Sequence, residues 1–311
     1  MIGSGSWLDW AVFAGSACAT QALLSLLFGK QSERVSFREA AVRSSIWILS
    51  AFAFALYVWV RLGKGIAIPY VTAYLVEESL SVDNLFVFLA VFAYFKVQER
   101  EQLRVLTWGI LGAVVMRMVF ILLGATLLQK VHWMTYVFGA FLIFTGGKLI
   151  FQKEKTIDPE DSIALRIARK SLHTTAQFEG DRFFTRVQGK LFATPLLLVL
   201  IVVEFSDILF AVDSVPAVLA ISDDLFIVYT SNIYAILGLR ALYFALAGMM
   251  TRFRFLDVGV SAILIFIGAK MVGSVVYKLP DAASLAVIGG LLLTAIVSSQ
   301  LFPARKDASA S

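Results

Sequence analysis

Six carboxylates stand inside stretches otherwise built of Leu, Val, Ala and Phe: Glu77, Glu78 and Asp83 in one, Glu204, Asp207 and Asp213 in the other. Asn84 follows Asp83 and Ser214 follows Asp213, placing an amide and a hydroxyl beside the acids. At the pitch of an α-helix, Glu77 and Asn84 share a face, as do Asp207 and Ser214, while Asp83 and Asp213 lie about 120° further round. These groups offer oxygen and nothing softer. The chain has one cysteine, Cys18, and two histidines, so it has no intrachain disulfide and too few ligands for a thiolate or imidazole cage. Oxygen sets of this kind suit Mg²⁺, Ca²⁺ or Mn²⁺ rather than Cu or Zn. Pro216 lacks a backbone donor and predicts a kink or break close to Asp213, which would add free carbonyl oxygens.

A buried acid is expensive in an apolar helix. An Asp at mid-membrane costs about 2.5–3.5 kcal/mol on insertion scales, so six ionised groups would cost on the order of 10 kcal/mol or more. Such a load points to cation or proton exchange. Arg117 and Arg240, also within apolar stretches, are candidates for compensating the charge, and an Arg that pairs with an empty site would ease its return without cargo. The competing reading is a purely structural charge network, and the two can coexist.

The elements that must hold these residues are membrane helices. Of 311 residues, 59% are hydrophobic and 16% charged, against about 25% charged in a soluble domain. The mean hydropathy of +0.82 excludes a soluble protein. A window of about 20 residues predicts an all-α polytopic membrane protein with nine spans: 7–28, 44–60, 69–94, 106–128, 133–150, 193–221, 225–248, 256–277 and 284–302. With the N-terminus outside, inner segments hold 19 of the 27 Lys and Arg residues, outer loops four and the spans four. That bias predicts the N-terminus outside and the C-terminus in the cytoplasm. The net charge of +5 therefore reports topology, and no nucleic-acid partner is expected. All six tryptophans fall near predicted span ends, as an interfacial belt requires, and ten glycines within or near the spans, among them Gly139, Gly147, Gly268, Gly273, Gly289 and Gly290, are expected to allow close helix packing.

The chain also resembles itself. Residues 77–92 align with 207–222 at an offset of 130, pairing Glu77 with Asp207, Asp83 with Asp213 and Asn84 with Ser214. Leu142–Lys148 matches Leu264–Lys270 at an offset of 122, and Arg117 answers to Arg240 at 123. Spans 3–5 and 6–8 thus read as two copies of a three-helix unit. An odd number of spans per unit makes the copies inverted, an arrangement typical of transporters with a site at the midplane. The predicted organisation is two N-terminal spans in 1–68, a first repeat in 69–150, a cytoplasmic loop in 151–192, the second repeat in 193–277, and a last span with its tail in 278–311. Within the loop, 180–195 could form a hairpin turning at Gln188-Gly189. P-loop, His-Glu-x-x-His and Gly-x-Ser-x-Gly motifs are absent, so no enzyme activity, ATP-driven pumping or permanently bound cofactor is expected. An ion gradient would drive transport. Divalent export works against an inside-negative potential by about 4.6 kcal/mol per 100 mV, and proton antiport is a natural coupling because a carboxylate that releases metal can take up protons.

The stretches Glu77-Glu-Ser-Leu-Ser-Val-Asp-Asn-Leu-Phe-Val-Phe88 and Glu204-Phe-Ser-Asp-Ile-Leu-Phe-Ala-Val-Asp-Ser-Val-Pro-Ala217 closely resemble the two signature motifs of the TerC family. So do Ser231-Asn-Ile-Tyr-Ala-Ile-Leu-Gly-Leu-Arg-Ala-Leu-Tyr243 and the Gly180–Phe184 and Ala193–Pro195 segments, and the similarity runs from about residue 40 to 302. The family is named for tellurium resistance and groups with the lysine-exporter superfamily. Its bacterial, alkali-inducible branch is associated with manganese export, so the resemblance, not the residues, selects Mn²⁺ as the transported substrate in a bacterial cytoplasmic membrane. Carried over by position, the family's site falls on Glu77, Asp83, Asn84, Glu204, Asp207, Asp213 and Ser214, with Asp83 and Asp213 as principal ligands; Glu78 is left out. Alternatives that remain open are Ca²⁺ or another cation as cargo, and a scaffold role in membrane assembly or a stress complex. A homo-oligomer is compatible with all of these.

Overall fold

The computed structural model describes residues 3–29, 36–131, 133–151, 163–171, 174–175, 177–187, 189–247, 255–273 and 279–301. In order these form α1 (Trp7–Phe28), α2 (Phe37–Leu62), α3 (Lys64–Phe95), α4 (Glu99–Lys130), α5 (Met134–Phe151), α6 (Ile163–Ser171), β1 (Phe184–Val187), β2 (Lys190–Ala193), α7 (Pro195–Leu219), α8 (Leu225–Ala247), α9 (Leu256–Gly273) and α10 (Asp281–Leu301). Each of the nine apolar stretches falls on one helix. Six helices (α1, α2, α4, α7, α8 and α10) are long and apolar enough to cross a membrane, and α5 and α9 are shorter apolar helices.

Several helices outrun the hydropathy signal, because their ends are polar. α3 and α4 have 32 residues each, about 48 Å of helix against a hydrocarbon core of about 30 Å. α2 begins at Phe37 rather than 44, where the Ser36 hydroxyl accepts from the Glu39 backbone N–H at 3.2 Å. At the start of α1, Asp9 and Ser6 cap each other, and Asp9 Oδ1 also accepts from the Tyr57 hydroxyl at 2.6 Å, tying α1 to α2.

Two hairpins in connectivity only, α3–α4 and α7–α8, interleave at the heart of the bundle: α3 and α4 each pack on both α7 and α8, and hardly on each other. Around it, α2 covers α3 and α8, α10 covers α3 and α9, and α5 lies along α9 in the most extensive pairing of the fold. In that last pair the backbones almost touch. A Cβ on Gly139 would come within 3.0 Å of the Gly268 carbonyl, and one on Gly146 within 2.7 Å of the Ser261 carbonyl. Because the higher residue of α5 meets the lower residue of α9, the two helices are antiparallel. By contrast, Gly112 of α4 meets Glu204 and Gly124 meets Leu219 of α7, so α4 and α7 run parallel.

Residues 184–193 form the expected hairpin, with Val187 paired to Lys190 and Gly189 at φ +79°, where a glycine avoids the Cβ clash; Gln188 lies outside the described residues. The segment is fastened to the bundle. Leu165 and Ala168 of α6 are buried against α7, and Arg104 of α4 pairs with Asp181 at 2.5 Å.

Three expectations need correction. α7 runs unbroken through Pro216 to Leu219, since the proline sits in the last turn and its own carbonyl still accepts from the Ala220 N–H. Trp47 is buried, at 3% exposure, among aromatic residues of the core, and Trp10 packs edge-on against Phe226; only Trp7, Trp59, Trp108 and Trp133 are strongly exposed. Of the glycines assigned to packing, Gly147, Gly273, Gly289 and Gly290 face open space.

Candidate functional site: a carboxylate pathway between two hairpins

The four central helices bring most of the marked residues together. Seven-residue spacing puts Glu77 and Asn84 on one face of α3, and Asp207 and Ser214 on one face of α7; all four are buried where the hairpins meet. Asp83 and Asp213 lie on the same helices between these positions, but their side chains lie outside the described residues. Among the described residues no group of three or more His, Cys, Asp or Glu is placed to hold a metal ion.

Arg117 of α4 is the organising cation, 1% exposed in the middle of the bundle. It donates to Oε1 of the fully buried Glu77 and, at 2.8 Å, to Oδ1 of Asn232 on α8. Asn232 is fixed in turn by its amide, which donates to the Val228 carbonyl at 2.9 Å. Asp207, 5% exposed, lies within electrostatic reach of the same guanidinium. One cation thus serves two carboxylates.

The satisfaction of the oxygens is incomplete. Glu77 Oε2, Glu78 Oε2, Asp207 Oδ2 and Ser214 Oγ are buried without a hydrogen-bond partner. Buried polar atoms are nearly always paired, and leaving one unpaired costs about 1–3 kcal/mol or more. Carboxylate and hydroxyl oxygens are the ligand type a hard cation takes, but among the described residues these acids are not gathered into one group that could hold a metal ion.

A narrow cleft leads to this region. Its lining includes Phe88, Gly109, Ala113, Glu204, Asp207 and Arg240. Phe88 and Leu106 lie seven residues from the α3 end and the α4 start, and Val203 and Leu239 eight from the α7 start and the α8 end. The cleft therefore belongs to the half of the bundle that also carries the 151–192 segment. The Glu204 carboxylate lies against bare backbone at Gly112, where a Cβ would overlap both of its oxygens. Arg240 lines the cleft and donates to the exposed Thr107 hydroxyl at 3.3 Å.

Residues 62–307 match the model of the integral membrane protein TerC family. The chain belongs to the TerC family. It is an integral membrane protein with several apolar helices. This TerC protein is 46% identical to an uncharacterized membrane protein of Myxococcus xanthus, over 93% of its own length and 91% of the relative's. It is 44% identical to the "Putative membrane-bound redox modulator Alx" of Salmonella typhi, over 94% of each chain, and 42% identical to the protein of that name in Escherichia coli K12, over 97% of each. No solved structure matches it.

Sequence reasoning picked out both arginines and the carboxylates, but Arg240 faces the cleft and Thr107 where Arg117 holds a carboxylate. It gave Asn232 no role beyond its place in a family-like motif and Gly112 none beyond helix packing. An amide inside an apolar helix is itself a signal of interhelical bonding, and Thr107-Trp-Gly-Ile110 repeats as Thr230-Ser-Asn-Ile233 at the same offset of 123 that joins the arginines. Lys148 is exposed, and Lys270 pairs with Asp281 at 3.6 Å, away from the carboxylates.

Proposed function

We propose that this TerC protein is a secondary transporter that exports divalent cations, with Mn²⁺ as the substrate, by proton antiport across a bacterial cytoplasmic membrane. The observation that carries the reading is the pair of buried, unpartnered carboxylate oxygens on Glu77 and Asp207, at matching positions of the two hairpins, with the unpartnered Ser214 hydroxyl two turns along α7. Asp83 and Asp213 lie one turn or two from these groups and serve as the principal ligands; Asn84 and Glu204 complete the path, and Arg117 and Arg240 compensate its charge. Nine spans with the N-terminus outside put the basic 151–192 segment in the cytoplasm. The inverted-repeat reading is supported by α5 and α9, whose antiparallel crossing is reciprocal. At the offset of 122, Gly139 answers to Ser261 and Gly146 to Gly268, so the Gly139–Gly268 and Gly146–Ser261 contacts exchange under a two-fold.

The curated relatives' name carries a second reading, redox modulation. A dithiol–disulfide couple within one chain needs two cysteines, and Cys18 stands alone, so redox work would require a partner thiol or a bound electron carrier. Reconstitution separates the readings. Purified protein in liposomes is expected to move Mn²⁺ faster with an opposing pH gradient than without one, with Ca²⁺ and Mg²⁺ tested alongside. Asp83→Asn and Asp213→Asn should abolish that flux while inserting normally. Wild-type flux in both variants would overturn the site. No divalent flux, together with stoichiometric co-purification of other membrane proteins, would favour the scaffold reading.

A further inference from the structure

The repeats match in sequence but not in exposure. At the offset of 123, Thr107 pairs with Thr230, Gly109 with Asn232, Ile110 with Ile233 and Arg117 with Arg240; at 130, Asp207 pairs with Glu77. On the Glu77 side every one of these positions is sealed: Thr230, Asn232, Arg117 and Glu77 are buried, and Ile233 is 6% exposed. On the Asp207 side Asp207 itself is buried, but Thr107 is exposed, Gly109, Ile110 and Arg240 are half-buried, and a narrow cleft is lined by Glu204 and Asp207. The two halves differ at one inner position. Asn232 plugs the space between Arg117 and α8, whereas its counterpart Gly109 has no side chain.

We propose that Glu204 and Asp207 form the loading half-site of the pathway, for a hard divalent cation entering from the end that carries the 151–192 segment. Arg240 lines the same cleft on the Thr107 hydroxyl and, among the described residues, makes no ion pair there, so Glu204 and Asp207 are left for the cargo. Asp207 Oδ2, unpartnered and buried beside the cleft, and the Glu204 carboxylate in the Gly112 notch supply the first ligands. The Glu77–Arg117–Asn232 cluster is the same half-site in its closed form. On switching, the two exchange roles: Arg240 closes on Asp207, and Arg117 releases Glu77 toward the opposite side. This rests on the transport reading and adds to it an entry site, a direction and a lock.

The test uses the full chain with Cys18→Ser as background, carrying either Ile110→Cys or Ile233→Cys. Labelling by a membrane-impermeant thiol reagent is followed in vesicles of both orientations, with and without Mn²⁺, and Mn²⁺ flux is measured in the same vesicles. At rest, Ile110→Cys should label from the 151–192 side at least tenfold faster than Ile233→Cys labels from either side. Mn²⁺ should protect Ile110→Cys, and turnover should expose Ile233→Cys from the opposite side. Equal labelling at rest, or no effect of Mn²⁺ while flux continues, overturns the half-site assignment and leaves the transport reading standing. Absence of flux for any divalent cation in the unmodified protein overturns the transport reading itself. A second variant avoids new cysteines. Gly112→Ala pushes the flexible Glu204 carboxylate out of its notch without moving backbone, and should raise the half-saturating Mn²⁺ concentration on the loading side by about tenfold, as loss of ligand support does in metal sites. Gly147→Ala, whose Cβ would meet nothing within 4 Å, is the control; an unchanged Gly112→Ala would remove Glu204 from the half-site.

Discussion

Arg117→Met deletes the guanidinium that Glu77 and Asn232 share while filling much of its volume. Glu77 is fully buried and Arg117 nearly so, so solvent cannot rescue the orphaned carboxylate. Removing one partner from a buried ion pair costs about 3–5 kcal/mol, and here the loss strands Asp207 as well, so the upper part of that range is expected. Glu77→Gln should cost less, about half as much, because Arg117 keeps Asn232 and the nearby Asp207 charge. The double variant removes both charges of the pair and so recovers the part of the cost that belongs to Glu77, while Asp207 stays without its cation. It should therefore be more stable than Arg117→Met alone, with a coupling of about 2–3 kcal/mol or more. Unfolding by SDS in mixed micelles, followed by tryptophan fluorescence with buried Trp47 as one reporter, measures all four corners of the cycle. Additive costs, or an Arg117→Met protein within about 0.5 kcal/mol of wild type, would refute the ion pair as the keystone of the closed cluster. Flux in the stable double variant should still be lost, which separates folding from transport.

Other substitutions test other parts of the fold. Gly268→Ala would put its Cβ 2.6 Å from the Gly139 carbonyl and 3.0 Å from the Ile143 amide nitrogen, both backbone atoms; a cost of about 1–3 kcal/mol should appear as a lowered denaturation midpoint. Asp9→Ala removes the α1 cap and the Tyr57 bond together and should cost about 1–2 kcal/mol, whereas Tyr57→Phe should cost less in the same unfolding assay. Arg104→Ala breaks a pair whose members are both well exposed; stability should change by no more than about 1 kcal/mol, with Mn²⁺ flux unaltered.

The apolar helices were legible because long apolar runs are a strong signal, though among the described residues six of them are long and apolar enough to cross a membrane rather than nine; boundaries were not, because caps such as Ser6–Asp9 and Ser36 sit in polar flanks that hydropathy averages away. The pairing of Glu77 with Asp207 and of Arg117 with Arg240 was readable as internal repetition. What the chain alone did not disclose was how differently the paired residues would be set. Arg117 is held by Glu77 and Asn232, whereas Arg240 meets Thr107, and Gly109 stands at the position that answers to Asn232, within a four-residue stretch that matches only at its Thr and Ile ends. Pro216 misled for a local reason: a proline in a helix's final turn forfeits one bond in a region that is already ending. Trp10 and Trp47 misled because proximity to a span end does not say which side of the helix faces lipid.

The α5–α9 seam sets a mechanical condition on everything else. With glycine and carbonyl in contact on both sides of the crossing, the joint has no clearance, so neither helix can lift from the other or pass through a wider separation without losing the fit. Its consequence is intolerance of added volume: a single methyl at any of these glycines meets backbone and not only a side chain that could swing aside, so the two helices would have to part along their shared line.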